Sequence, residues 1–181
     1  MYQVKTKTNE LEENTNDIIE KLDFAEERCE MIMDSIYGAW YFYIYEASDY
    51  YNESILLPYA TEAKIPKDKV QDIIARKYNE TSGYGIAAYI RVLSTNLEIV
   101  HTYYDEFGTF DIIEQNLEYA KTMIGQLPDD FKKKELLKDY YNAVNKYYNF
   151  VESPSGSFSQ LGDKRQSLEE AVNDAKQKLE W

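Results

Sequence analysis

Six apolar residues, Ile18, Leu22, Ala25, Cys29, Ile32 and Ile36, recur at intervals of 4, 3, 4, 3 and 4. A strand cannot use that spacing, because its successive side chains face opposite sides. On an α-helix the six make one continuous stripe that has to be buried against something. Breakers are scarce, with 7 glycines and 4 prolines in 181 residues, which favours long helices over a turn-rich β fold. The expected architecture is all-α: a single elongated bundle of six or seven helices around a long N-terminal helix. Residues 1–8 read as a polar tail and residues 9–181 as one domain.

Past Ile36 the pattern shifts phase. Trp40, Tyr43, Ala47 and Tyr50 form the next apolar series, and the change resembles a heptad stutter near Gly38, which predicts a kink or local unwinding there. This region, YGAWYFYIYEASDYYNE, carries six tyrosines, a tryptophan and a phenylalanine. Local propensity alone would make AWYFYIY a strand. No turn signal separates it from the helix upstream, however, so it reads as a central helix, with some tyrosine hydroxyls at the rim and some rings at an interface.

Further helices are expected over Lys67–Tyr78, after Pro66, and from Tyr84 to about Asp105, with Ile86, Ile90, Leu93, Leu97, Val100 and Tyr104 inward. Another starts at Thr109 or Asp111 and ends near Gly125, with Phe110, Ile113, Leu117, Ala120 and Ile124 inward. Pro128-Asp129-Asp130 opens the next, on a seam of Leu137, Tyr140, Val144, Tyr147 and Val151. Residues 152–163, ESPSGSFSQLGD, read as a loop. A last helix uses Leu168, Val172, Ala175 and Leu179 and ends on Trp181.

The net charge of −13 is uneven. Residues 9–56 alone carry 13 acids against Lys21 and Arg28. Opposite the apolar stripe stand Glu13, Glu20, Glu27 and Asp34, each seven residues from the next, flanked by Asp23 and Glu30. Such a row repels nucleic-acid phosphates and attracts basic partners, unless it serves only as a solubilising face. The leading expectation is therefore a non-enzymatic acidic binding protein, of the inhibitor, immunity or adaptor kind. It would dock on a basic partner such as a nuclease or nucleic-acid enzyme, with imitation of nucleic acid as one way to do so. Glu13, Glu20, Glu27 and Asp34 would supply attraction, and Tyr41 and Tyr45 burial.

The run YATEAKIPKDKVQDIIARKY resembles the helix-turn-helix of DNA-binding proteins. Ala60 stands at the small packing position, and Ile65, Val70 and Ile73 at the apolar ones. Lys64 departs from the pattern by replacing the usual turn glycine. The resemblance implies, as an alternative, a DNA-binding regulator whose recognition helix presents Lys67, Lys69, Gln71 and Arg76, with Asp68 and Asp72 opposing phosphate approach. A third reading is a structural subunit that self-associates through its aromatic segment.

Enzymatic chemistry finds little support. Glu98-Ile-Val-His101 has the E-x-x-H step of carboxylate-bridged metal bundles, but both residues fall beside the apolar seam. Glu46, amid the aromatic helix, lacks a matching ligand set. Glycine-rich phosphate loops, G-x-S-x-G, C-x-x-C and H-E-x-x-H are all missing, and Cys29 falls on the inward stripe, away from any pairing with His101. Neither cofactor nor metal is expected. One cysteine forbids an internal disulfide, and with no signal peptide or membrane-length apolar run this suggests a cytoplasmic setting.

Overall fold

A computed structural model describes residues 2–78 and 85–179. These form eight α-helices and, among the described residues, no strand: α1 (Tyr2–Tyr45), α2 (Leu56–Glu62), α3 (Lys67–Tyr78), α4 (Ile86–Ile90), α5 (Leu93–Glu106), α6 (Thr109–Gln126), α7 (Lys134–Glu152) and α8 (Phe158–Leu179). Two 3₁₀ turns, Ala47–Asp49 and Asn52–Ile55, join α1 to α2. The protein is all-α, as the spacing requires. Helix α1 already includes residues 2–8, where a tail was expected. Tyr84 and Trp181, expected as helix ends, lie outside the described residues.

The chain gathers into two compact units. The first takes α1 through Cys29, Asp111–Ser153 and the chain from Asp163. Its core is the set of seams read from the sequence. Ile18, Leu22, Ala25 and Cys29 of α1 are all fully buried, as are Leu137, Tyr140, Val144 and Tyr147 of α7. Ile113, Leu117, Ala120 and Ile124 of α6 join them, with Leu168, Val172, Ala175 and Leu179 of α8. Each fully buried Ile, Leu or Val of this kind stabilises the unit by about 1.5–3 kcal/mol.

One polar cluster interrupts that core. The Tyr140 hydroxyl lies 2.5 Å from Asp23 Oδ1 and 2.7 Å from Glu26 Oε2. Lys176 Nζ approaches the same two oxygens at 2.9 and 3.4 Å. Asp23 and Glu26 are three residues apart on α1 and so stack on one side of it. Asp23, expected to widen the exposed acidic face, instead turns toward α7 and α8. Burial, and then its two carboxylate neighbours, push the ionisation of Tyr140 far above the ordinary phenol range.

The second unit spans Glu30–Phe110 and Pro154–Gly162. Here α1 continues through Gly38 with unbroken helical hydrogen bonding, where a kink or local unwinding was expected. Gly38 serves a different purpose: a Cβ placed on it would stand 1.8 Å from the Glu62 carbonyl oxygen. The missing side chain lets the end of α2 press onto α1. The apolar surface turns accordingly, burying Ile32, Met33, Ile36, Ala39, Trp40 and Phe42. Tyr43, assigned inward from its spacing, is 37% exposed.

The α2–α3 corner is closed by hydrogen bonds from Lys64 N–H to Thr61 O (3.2 Å) and from Ile65 N–H to Ala60 O (3.0 Å). That is a Schellman ending, which needs one residue in the left-handed region. Lys64 occupies it, with φ of 53°. Ile65 and Ala60 are both buried beneath the turn.

Residues 84–105 do not form one helix. The break falls at Arg91-Val92, where the Arg91 guanidinium donates to the carbonyls of Ala47 (3.1 Å) and Tyr50. After it the buried face is rotated: Asn96 and Ile99 are fully buried, whereas Leu93 and Leu97 are half-buried. The expected loop 152–163 is likewise shorter. Ser157 and Gln160 exchange hydrogen bonds, Ser157 N–H to Gln160 Oε1 at 2.8 Å and Gln160 N–H to Ser157 Oγ at 3.3 Å. This reciprocal cap lets α8 start at Phe158.

Candidate protein-docking face

In the first unit, Glu13, Glu20 and Glu27 are exposed, as their spacing predicts. Glu20 Oε1 lies 3.5 Å from Lys21 Nζ and Glu27 Oε2 3.5 Å from Arg28 Nη1. Pairs this open to water hold a carboxylate only loosely. The Arg28 guanidinium also sits over the Phe24 ring, 3.7 Å from its centroid.

In the second unit, Asp34 is half-buried and accepts from Lys64 Nζ at 2.5 Å. It therefore ties α1 to the α2–α3 turn. Further along α1, Tyr41 and Tyr45 are exposed to 36% and 57%. Their ring centroids are 4.9 Å apart, and that of Tyr45 lies 5.9 Å edge-on from Phe158. Tyr37 closes the cluster, 4.9 Å from Phe158. Ile44, 44% exposed, extends the patch. The sequence reading missed both Phe158, placed in a loop, and Ile44, which no polar neighbour marks out.

The opening aromatic run is thus split by helix geometry. Trp40 and Phe42 are core, with Phe42 edge-on to Tyr59 at 5.7 Å. Tyr41, Tyr43, Ile44 and Tyr45 reach solvent.

On α3, Lys67, Lys69 and Gln71 are exposed. Arg76 is exposed too, but its Nη1 and Nη2 each donate to Glu106 at 2.8 Å. That fork holds the Glu106 carboxyl below its ordinary range. Lys77 Nζ is engaged with Glu98 at 3.2 Å. Glu98 is held low mainly by the Tyr78 hydroxyl and then by Lys77. His101 stacks on Phe110 at 4.7 Å. Among the described residues, no group of three or more His, Cys, Asp or Glu is placed to hold a metal ion. No described helix is long and apolar enough to cross a membrane.

No family model matches the chain, and no solved structure gives a significant match. Among curated proteins, a 91-residue stretch is 28% identical to the 4-hydroxyphenylacetate 3-monooxygenase oxygenase component of Escherichia coli. That stretch is 50% of this chain but only 17% of the relative. So small a share of the enzyme does not bring its activity with it.

Proposed function

We propose that the protein is a non-enzymatic acidic binding protein, an inhibitor, immunity or adaptor protein that docks on a basic macromolecule such as a nuclease or nucleic-acid enzyme. The observation that carries this reading is the exposed patch of Tyr41, Ile44 and Tyr45 on α1. Aromatic side chains that stay in water while their neighbours Trp40 and Phe42 are buried are the usual anchors of an interface. Glu13, Glu20 and Glu27 supply long-range attraction, and Asp34 contributes charge while remaining tied to Lys64. The protein works in this reading without cofactor or metal, in the cytoplasm.

The test is retention of partners from cells of the source organism by the wild-type chain and by the Glu13→Gln/Glu20→Gln/Glu27→Gln variant. A basic protein should be held by the wild type, and lost both in the variant and at high salt. Retention indifferent to salt and to the three glutamates would remove the acidic row from the account.

A second reading, a DNA-binding regulator, draws support from the left-handed turn at Lys64, which does the work of the usual glycine. Lys67, Lys69 and Gln71 would then face DNA, while Glu106 restrains Arg76. A gel shift with genomic fragments at low salt decides: no retarded species rejects this reading. A structural subunit joined through the aromatic patch would instead appear as a concentration-dependent oligomer in light scattering.

A further inference from the structure

Resting on the docking reading above, we propose that the face of α1 from Glu30 to Tyr45 receives arginine side chains, so that the partner presents guanidinium rather than ammonium groups.

At 100° per residue, Glu30, Asp34, Tyr37, Tyr41, Ile44 and Tyr45 all fall within an arc of about 100°. One side of the helix thus passes from carboxylates to rings. Glu30 is exposed, as are Tyr41, Ile44 and Tyr45. Negative charge dominates this stretch, with Glu30 as its exposed carboxylate and Asp34 already engaged by Lys64 at 2.5 Å. Between Arg28 and Lys64 the sequence holds no lysine or arginine, but it holds Glu30, Asp34, Glu46, Asp49, Glu53 and Glu62. A second copy of the chain would bring the same negative face to the contact, so a cationic partner fits where self-pairing does not.

Carboxylates beside tyrosine faces discriminate between the two cationic side chains. A guanidinium is planar and weakly hydrated, stacks on a ring, and still forks onto a carboxylate; an ammonium is a compact, strongly hydrated charge. Elsewhere the molecule sets guanidinium groups on rings. Arg28 lies over Phe24 at 3.7 Å with Glu27 at 3.5 Å. Arg91 stands over Tyr51 at 6.0 Å while donating to the Ala47 carbonyl.

The probes are fluorescein-labelled octa-arginine and octa-lysine, titrated with the full chain and read by anisotropy at low and moderate salt. Octa-arginine should bind about five-fold tighter at equal charge, and the preference should persist as salt weakens both. In Tyr41→Leu/Tyr45→Leu the ratio should fall to about one, with octa-lysine binding changed less than about two-fold. Tyr45→Leu alone, at the more exposed ring, should move the ratio in the same direction if the double variant fails to fold. Tyr43→Leu, off the arc, should leave it unchanged. Equal affinities for wild type, or a ratio that survives the loss of both rings, would overturn the arginine assignment and leave the docking reading standing. If neither peptide binds at low salt, the docking reading itself fails.

Discussion

Replacing Gly38 by alanine should damage this protein, although alanine is the better helix former. The added Cβ would lie 1.8 Å from Glu62 O and 2.6 Å from Glu62 C. Ordinary contact requires about 1.5 Å more. The obstacle is backbone, so no rotamer change relieves it. Either α2 moves off α1 or α1 bends, and Glu62 belongs to the turn held by the Thr61–Lys64 and Ala60–Ile65 hydrogen bonds. Forcing atoms into a packed site costs ~1–3 kcal/mol, and more when the backbone must shift. The propensity gain of alanine returns ~1 kcal/mol. The expected outcome is a net loss of about 2 kcal/mol, or a fall of roughly 4–8 °C in Tm for a chain of this size. Gly162→Ala is the control: it also lies in a helix, but a Cβ there meets nothing within 4 Å. That substitution should stabilise by about 0.5–1 kcal/mol. Urea unfolding followed by Trp40 fluorescence, in a Trp181→Phe background, reads the second unit directly. If Gly38→Ala matches or exceeds its parent in stability, the close approach of α2 to α1 is not as described.

Other expectations can be stated briefly. Tyr140→Phe leaves Asp23 and Glu26 facing a ring edge with only Lys176 beside them, and should cost about 1–3 kcal/mol in chemical denaturation. Burial first, and neighbouring carboxylates for the last two, raise the ionisation of Tyr59, Tyr140 and Tyr148 above the ordinary phenol range. A folded-state value above the unfolded one means that this stability is fully present below about pH 10 and is lost as pH rises further. Phenolate absorbance should therefore show a tyrosine fraction that ionises only on alkaline unfolding; smooth titration of all 18 in the folded protein would contradict the burial. Ser157→Ala removes half of the reciprocal cap and should cost about 1 kcal/mol, with faster amide exchange in the first turn of α8.

The apolar stripes were legible because burial imposes a period on neighbouring residues. Ile18 to Ile36 and Leu137 to Val151 came through without a misplaced residue. The α2–α3 corner was readable for a similar reason, since Ala60, Ile65, Val70 and Ile73 lie within one short stretch. Features fixed by distant chain were not legible. Asp23 looked like a flank of the exposed row because its partners, Tyr140 and Lys176, are more than a hundred residues away. The break at Arg91-Val92 depends on carbonyls of Ala47 and Tyr50, and Tyr43 was misplaced because α2 sets which side of α1 is covered. Among the residues proposed for docking, the exposure of Glu13, Glu20, Glu27, Tyr41 and Tyr45 followed from spacing, whereas Phe158 beside the two tyrosines required knowing where α8 begins.

The Tyr140 hydroxyl, shared between two carboxylates one turn apart, has a mechanical meaning for the first unit. Apolar stripes tolerate sliding: a shift of one turn, about 5.4 Å, sets new leucines and isoleucines against old neighbours at modest loss. A hydroxyl seated between two fixed oxygens has no equivalent seat a turn away. It acts as an index pin between two rods, so that α7 has one longitudinal setting on α1, and every side chain along α7 inherits its height from that pin.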